Sequence, residues 1–182
     1  MRRIERAARE ARRVFAELNG LQSVPVPVDE IAGHFAHVLK RRLDDGISGM
    51  LVPLETALAG KEWVIVVNAQ HARVRQRFTI AHELGHLILH RFTTPHADRG
   101  FKVRFRDQRS SDGLIAEEIE ANHFAAELLL PYALLRERLC ELNLEFVPLS
   151  TDAHDAQLMQ NLAREFGVSQ RALSIRLSAL LI

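Results

Sequence analysis

The sequence contains almost no cysteine and no long apolar stretch. Cys140 is the only cysteine among 182 residues, which excludes an internal disulfide framework and a cysteine-rich zinc site. No apolar run approaches the roughly 18 residues that a membrane-spanning helix requires. The N-terminal segment is basic, but no uninterrupted apolar stretch follows it, so it does not predict a secretory signal. These absences together predict a reduced, cytoplasmic protein.

The chain also lacks an excess of charge of either sign. It has 24 basic and 23 acidic side chains, so its net charge of +1 gives no overall attraction to nucleic acid or membranes. A hydrophobic content of 47% excludes a wholly disordered chain. The length supports one compact domain, or one domain plus a small appendage. We therefore predict a main domain over 1–150 that includes the N-terminal helix, and a C-terminal helix pair over 151–182 that packs on it.

The spacing of apolar residues predicts an α+β fold, because it changes period along the chain. Strands are predicted at 37–43, 47–54 and 61–67. Asp45-Gly46 indicates a hairpin between the first two strands. Residues 91–113 are expected to form a long loop, with a short strand at 101–105. Helices are predicted at 4–18, 29–35 with Asp29 as N-cap, 74–90, 114–130, 131–142, 155–166, and 170–181 with Ser169 as N-cap.

The most informative pattern is His82-Glu83-Leu84-Gly85-His86. Residues i and i+4 of a helix lie on one face, so both imidazoles can bind one ion. Glu83 can then accept a proton from a water at the ion's open side. This is the H-E-x-x-H arrangement of zinc peptidases. Gly85 permits another element to approach this turn closely.

A third ligand is predicted on the second long helix. Glu118 with Asn122 at i+4 would supply a ligand and a partner that orients a histidine. Glu117 and Glu120 remain alternatives to Glu118, although carboxylates near a helix N-terminus are often simply solvated. His90 lies about 12 Å along the helix axis from the first histidine, too far to join the same ion. We expect it to contact the last carbonyl groups of its own helix.

Two stretches, 75–90 (RQRFTIAHELGHLILH) and 118–131 (EIEANHFAAELLLP), closely resemble the ImmA/IrrE family of metallo-endopeptidases. The resemblance continues in 26–32, 47–51 and 162–169, so that it covers nearly everything after residue 20. Leu130 is a minor departure, because methionine is common before the proline in that family.

The resemblance implies a zincin-like fold, in which a small antiparallel sheet packs beside a metal-binding helix pair. It assigns the third ligand to Glu118, with Asn122 one turn later as a partner that orients a ligand, and it implies one Zn²⁺ ion, with Mn²⁺ as an alternative. Members of the family typically cleave a helix-turn-helix (Xre-type) repressor in a stress, mobile-element or toxin–antitoxin-like system. We therefore expect an endopeptidase whose metal ligands are His82, His86 and Glu118 and whose catalytic base is Glu83.

Several alternatives stay open at the level of the sequence. Tyr132 is a candidate for a substrate or oxyanion contact, although a tyrosine at a packing interface is commoner. The substrate is expected to add as an extended segment to the sheet edge near 47–52. The C-terminal pair is similar to a helix-turn-helix unit, with Arg171 and Arg176 on its second helix. The protein would then be a non-proteolytic partner or toxin that binds an Xre-type protein or DNA, although direct DNA binding is disfavoured in so neutral a chain.

Overall fold

The computed structural model describes residues 2–19, 23–90, 96–98, 108–142 and 153–180. Within these ranges the fold is α+β, as predicted, and no helix there is both long and apolar enough to cross a membrane. The helices are α1 (Arg2–Asn19), α2 (Val28–Phe35), α3 (Arg73–Leu89), α4 (Gln108–Leu129), α5 (Tyr132–Glu141), α6 (Ala153–Phe166) and α7 (Gln170–Leu180). The strands are β1 (His37–Arg41), β2 (Gly49–Leu58), β3 (Lys61–Asn68) and β4 (His96–Asp98).

The sheet is mixed, and the expectation of a purely antiparallel sheet is wrong. Its strand order is β1-β3-β2-β4, with β1 parallel to β3 and the other two pairings antiparallel. β3 carries the most apolar run of the three predicted strands, and its Ile65 and Val67 are fully buried. It therefore takes a central position with partners on both sides, while the more polar β1 forms an edge.

The predicted hairpin at Asp45-Gly46 is also wrong. These residues form a turn, but β1 and β2 are not neighbours because β3 lies between them. The tight hairpin joins β2 to β3 through Ala59 and Gly60, whose φ angles are 50° and 75°. Positive φ at both central residues is the geometry of a two-residue hairpin turn. Alanine rarely adopts a positive φ, so of the two residues only Gly60 could have predicted this turn from the sequence.

The ends of several elements differ from the prediction. α2 begins at Val28 after Pro27, so Asp29 lies in the first turn, where it forms an ion pair with Lys40 at 2.6 Å and does not cap the helix. α4 begins at Gln108, within the stretch predicted as loop, and β4 also lies in that stretch. The strand predicted at 101–105 falls outside the described residues. Ser169 is confirmed as a cap, since its Oγ accepts a hydrogen bond from the Ala172 amide at 3.1 Å.

The substrate edge expected near 47–52 is already occupied in part. Gly49, Met50 and Leu51 of β2 pair with β4 on one side and with β3 on the other. These three residues are paired on both sides and cannot accept another segment, so the expectation is wrong for them. The outer strand on that side of the sheet is β4.

α3 is the element around which the core is built. It contacts β2 and β3, lies along α4, and also touches α1 and α2. Leu84 of α3, Phe124 of α4, Phe166 of α6 and Leu173 of α7 are all fully buried in one apolar cluster. The C-terminal helices thus share the core of the earlier ones. The predicted boundary at 150/151 falls in a stretch outside the described residues and stays a prediction.

Arg77 ties α3 to two distant segments. Its Nε donates to the Gly167 carbonyl at 3.0 Å and its Nη2 donates to the Val26 carbonyl at 2.8 Å. Burial lowers the pKa of the Arg77 guanidinium, and the nearby Asp29 carboxylate partly opposes this shift. Arginine remains charged at neutral pH even so. These charge-assisted bonds hold the turn between α6 and α7 against the start of α3.

We expect Gly167→Ala to lower the free energy of unfolding by about 2–3 kcal/mol. Gly167 has φ +64°, and a Cβ there would lie 2.9 Å from Arg77 Nε. The substitution therefore adds left-handed backbone strain and displaces a hydrogen-bonded guanidinium. Denaturant unfolding measures the loss. Gly33→Ala is the matched control, because open space surrounds Gly33 within α2 and alanine should stabilise that helix by about 0.5–1 kcal/mol. Wild-type stability in Gly167→Ala would contradict the role given to this turn.

Candidate metal centre

Two histidines of α3 and one glutamate of α4 converge. The Nε2 atoms of His82 and His86 are 3.0 Å apart, as their i, i+4 spacing allows. Glu118 Oε2 lies 3.3 Å from His82 Nε2, and Glu118 Oε1 lies 3.2 Å from His86 Nε2. Both histidines are buried and Glu118 is partly buried. The three side chains therefore form one compact group of donor atoms.

The dimensions of this group suit a single divalent cation. A tetrahedral ion with bonds of about 2.0–2.1 Å separates neighbouring ligand atoms by about 3.3 Å. The observed separations of 3.0, 3.2 and 3.3 Å are close to that value. Three such donors would leave one position of a tetrahedral ion free, which is the pattern of catalytic metal sites and not of structural ones. The residues present thus fit a metal ion.

Asn122 orients the first histidine. Its Oδ1 lies 3.2 Å from His82 Nδ1. Because an amide oxygen only accepts hydrogen bonds, His82 carries its proton on Nδ1 in this contact. The Nε2 lone pair is then directed towards Glu118 and available to a cation. Asn122 therefore lies where the sequence predicts a partner of the metal ligands.

The second histidine is oriented by residues that the sequence analysis missed. His86 Nδ1 lies 3.1 Å from His90 Nδ1, and His90 Nε2 lies 2.9 Å from Glu120 Oε2. The expectation for His90 named only the carbonyl groups at its helix end. Its i+4 spacing from His86, together with an acidic residue on the facing helix, was the available signal.

Glu83 is fully buried on the same helix. Its Oε1 is 3.2 Å from the point that a Cβ on Gly49 would occupy, so the carboxylate lies against the start of β2. A side chain at Gly49 would also collide with the methyl group of Thr79. Asn68 holds this part of the chain, because its side-chain amide donates to the Ile47 carbonyl at 3.0 Å. Gly49 and Asn68 are site-shaping residues that the sequence analysis did not single out.

Small residues let α3 and α4 approach closely. A Cβ on Gly85 would lie 3.0 Å from the Phe124 ring and 3.2 Å from Ala121 Cα. The prediction that Gly85 permits the approach of another element is confirmed. Ala121 is one turn from Glu118, so the same contact determines how far the glutamate reaches towards the histidines.

The other candidate residues lie outside the group of three donors. Glu117 is partly buried on α4, and Glu120 contacts His90 and also forms an ion pair with Arg3 at 3.0 Å. Tyr132 is half exposed at the start of α5. The contacts established for the described residues do not connect Tyr132 with the histidine–glutamate group, and its role stays a prediction.

Comparison with known proteins identifies the family. Residues 37–178, more than three quarters of the chain, match peptidase family M78, whose description is "IrrE N-terminal-like domain". The chain belongs to this family. The resemblance to ImmA/IrrE proteins is thereby confirmed. The matched range contains all three donors and Glu83.

A phage protein is also similar to part of the chain. It is the "Uncharacterized immunity region protein 2" of Bacillus phage phi105, which is 40% identical over 68 residues. The match covers 37% of this chain and 37% of the phage protein. The chain therefore spans little more than a third of that relative.

Gly85→Ala tests whether the distance between α3 and α4 determines metal binding. Alanine favours a helix by about 1 kcal/mol, but here its methyl group pushes against Phe124 and Ala121. We expect Zn²⁺ affinity to fall about tenfold or more while helix content stays the same. Chelator competition and circular dichroism measure the two quantities. Gly33→Ala adds the same methyl group in open space and should leave affinity unchanged, and equal affinities in both variants would refute the argument.

Proposed function

We propose that this protein is a zinc-dependent endopeptidase of zincin-like fold that cleaves a helix-turn-helix (Xre-type) repressor. The observation that carries the proposal is the convergence of His82, His86 and Glu118 to 3.0–3.3 Å, beside the buried Glu83. Membership of a metallopeptidase family supports the enzymatic part. The immunity-region name of the phage relative supports a regulatory target in a mobile-element, stress or toxin–antitoxin-like system.

The donor set favours zinc over manganese. Two imidazole nitrogens and one carboxylate suit Zn²⁺, whereas Mn²⁺ prefers sites richer in oxygen. When bound, the ion would polarise the peptide carbonyl and lower the pKa of water to about 7. Asn122 keeps the proton of His82 on Nδ1, so that this ligand is held in its binding form.

Glu83 is the proposed general base. Its carboxylate accepts a proton from the attacking water and then delivers it to the nitrogen of the leaving amine. A Cβ on Gly49 would lie 3.2 Å from its Oε1, so the glycine leaves room for this carboxylate at the start of β2.

The substrate is proposed to bind as an extended segment along β4. β4 is the outer strand next to β2, and β2 begins at Gly49, where an added Cβ would lie 3.2 Å from Glu83 Oε1. Pairing of a peptide with an edge strand supplies main-chain hydrogen bonds independent of sequence. An unfolded or mobile segment of a repressor meets this requirement better than a folded domain.

The structure offers little support for DNA binding by the C-terminal helices. Arg176 is buried, forms an ion pair with Glu127 and donates to the Leu130 carbonyl at 3.2 Å. It is thus committed to packing α7 on α4. Arg164 on α6 and Arg171 on α7 are exposed, but two arginines are too few to indicate a DNA-binding surface. A role in packing or in docking the repressor fits these contacts better.

Glu118→Ala should abolish stoichiometric zinc binding, because it removes one of three protein ligands. Glu117→Ala is the matched control, since the neighbouring carboxylate lies outside the group and its removal should leave one zinc per chain. Elemental analysis after dialysis measures the metal content of both variants. If Glu118→Ala retained zinc and Glu117→Ala lost it, the third ligand would be Glu117, and the assignment to Glu118 would be wrong.

Glu83→Gln should retain zinc and lose about 10²–10⁴-fold in cleavage rate, because an amide cannot accept the proton of the attacking water. The assay incubates the purified protein with a purified Xre-type repressor and follows the fragments by mass spectrometry. Fragments that form at the wild-type rate in Glu83→Gln would overturn the mechanism. If this variant keeps full biological activity in cells, sequestration of the repressor replaces proteolysis as the function.

A further inference from the structure

We propose that His90 and Glu120 are positioning residues that hold His86 in its metal-binding form. The inference rests on the metal centre of the proposed function and extends it to two residues outside the donor group. His90 follows α3 directly, and Glu120 lies on α4, two residues after the third donor. Neither side chain is needed as a ligand to complete the group of three.

The hydrogen bonds of His86 and His90 leave one consistent arrangement of protons. A cation at His86 Nε2 requires a lone pair there, so His86 carries its proton on Nδ1. That proton is donated to His90 Nδ1, 3.1 Å away. His90 then carries its own proton on Nε2 and donates it to Glu120 Oε2 at 2.9 Å. Because the carboxylate only accepts hydrogen bonds, it determines the direction of both bonds.

Glu120 is itself held in place by α1. Arg3 Nη2 donates to Glu120 Oε2 at 3.0 Å and to the Leu89 carbonyl at 3.1 Å. The His90 side chain is only 5% exposed, so water competes little for its two hydrogen bonds. The connection therefore runs from α1 through Glu120 and His90 to the second ligand.

The two ligand histidines are supported in different ways. His82 is oriented by the neutral amide of Asn122, whereas His86 is oriented by an imidazole backed by a carboxylate. A carboxylate behind a metal-bound histidine increases the basicity of the ligand as well as fixing the ring. We therefore expect His86 to depend more strongly on its partners than His82.

The alternative is that His90 and Glu120 only join α3 to α4. A joining role would affect the stability of the metal-free protein without a specific effect on the ion. A positioning role would affect metal affinity in a way that depends on the hydrogen-bonding capacity of residue 90. The experiment therefore measures both quantities in the same variants.

The variants are His90→Phe, His90→Gln, Glu120→Ala and the double variant His90→Phe/Glu120→Ala. Zn²⁺ affinity is measured by chelator competition, the visible spectrum of bound Co²⁺ reports ligand geometry, and denaturant unfolding reports stability without metal. His123→Phe is the matched control, since His123 is an exposed histidine on α4.

We expect His90→Phe to weaken Zn²⁺ binding about 10- to 100-fold, with an altered Co²⁺ spectrum. His90→Gln should recover part of this loss, because its amide oxygen can accept the proton of His86 Nδ1. Glu120→Ala should weaken binding by a smaller factor. The double variant should bind no more weakly than His90→Phe, because Glu120 acts through His90. The control should match wild type.

Affinity unchanged within twofold in both His90→Phe and Glu120→Ala would overturn the positioning role. Additive losses in the double variant would overturn it as well. If His90→Phe fails to fold, Glu120→Ala decides the question, because that side chain is about one-third exposed. A wild-type protein that binds no metal would overturn the proposed function itself, whereas one that binds zinc without cleaving a repressor would contradict only the proteolytic activity.

Discussion

The close approach of α3 and α4 is the constraint on which the candidate site depends. Two histidines on one helix can present nitrogens to an ion, but they leave most of its coordination to water. Because Gly85 has no side chain, α3 packs directly against Phe124 and Ala121 of α4. Glu118 of α4 then comes within 3.3 Å of both imidazoles. The packing of small residues thereby brings a third donor group to the two histidines.

Placing polar groups on a buried helix has an energetic cost, and the fold offsets it with partners from distant segments. Unpaired polar groups in a core are destabilising by several kcal/mol. His82 contacts Asn122, His86 contacts His90, and Arg77 donates to carbonyl groups of two other segments. The hydrogen bonds of the two histidines make their burial tolerable and also orient their rings in the candidate site. Stability and the candidate chemistry are therefore coupled through α3.

The sequence predicted the elements of the fold better than their arrangement. Apolar periodicity located the helices and three strands because it depends on neighbours along the chain. It did not show that β3 lies between β1 and β2, or that β1 runs parallel to β3. Strand order depends on which surfaces are buried together, and Asp45-Gly46 favours a turn whether or not the flanking strands pair.

The sequence by itself determined the family, the pairing of His82 with His86 and the place of Glu83 between them, because a helix fixes the geometry of residues four apart. The family resemblance pointed to Glu118, whereas periodicity left Glu117 and Glu120 as alternatives, and the tertiary structure shows that Glu118 is the one that lies beside the two histidines. Residues on one helix point in directions about 100° apart, so their partners depend on how that helix is rotated against its neighbour. That rotation is decided by packing across the whole core, and it places one glutamate beside the histidines and another beside His90 and Arg3.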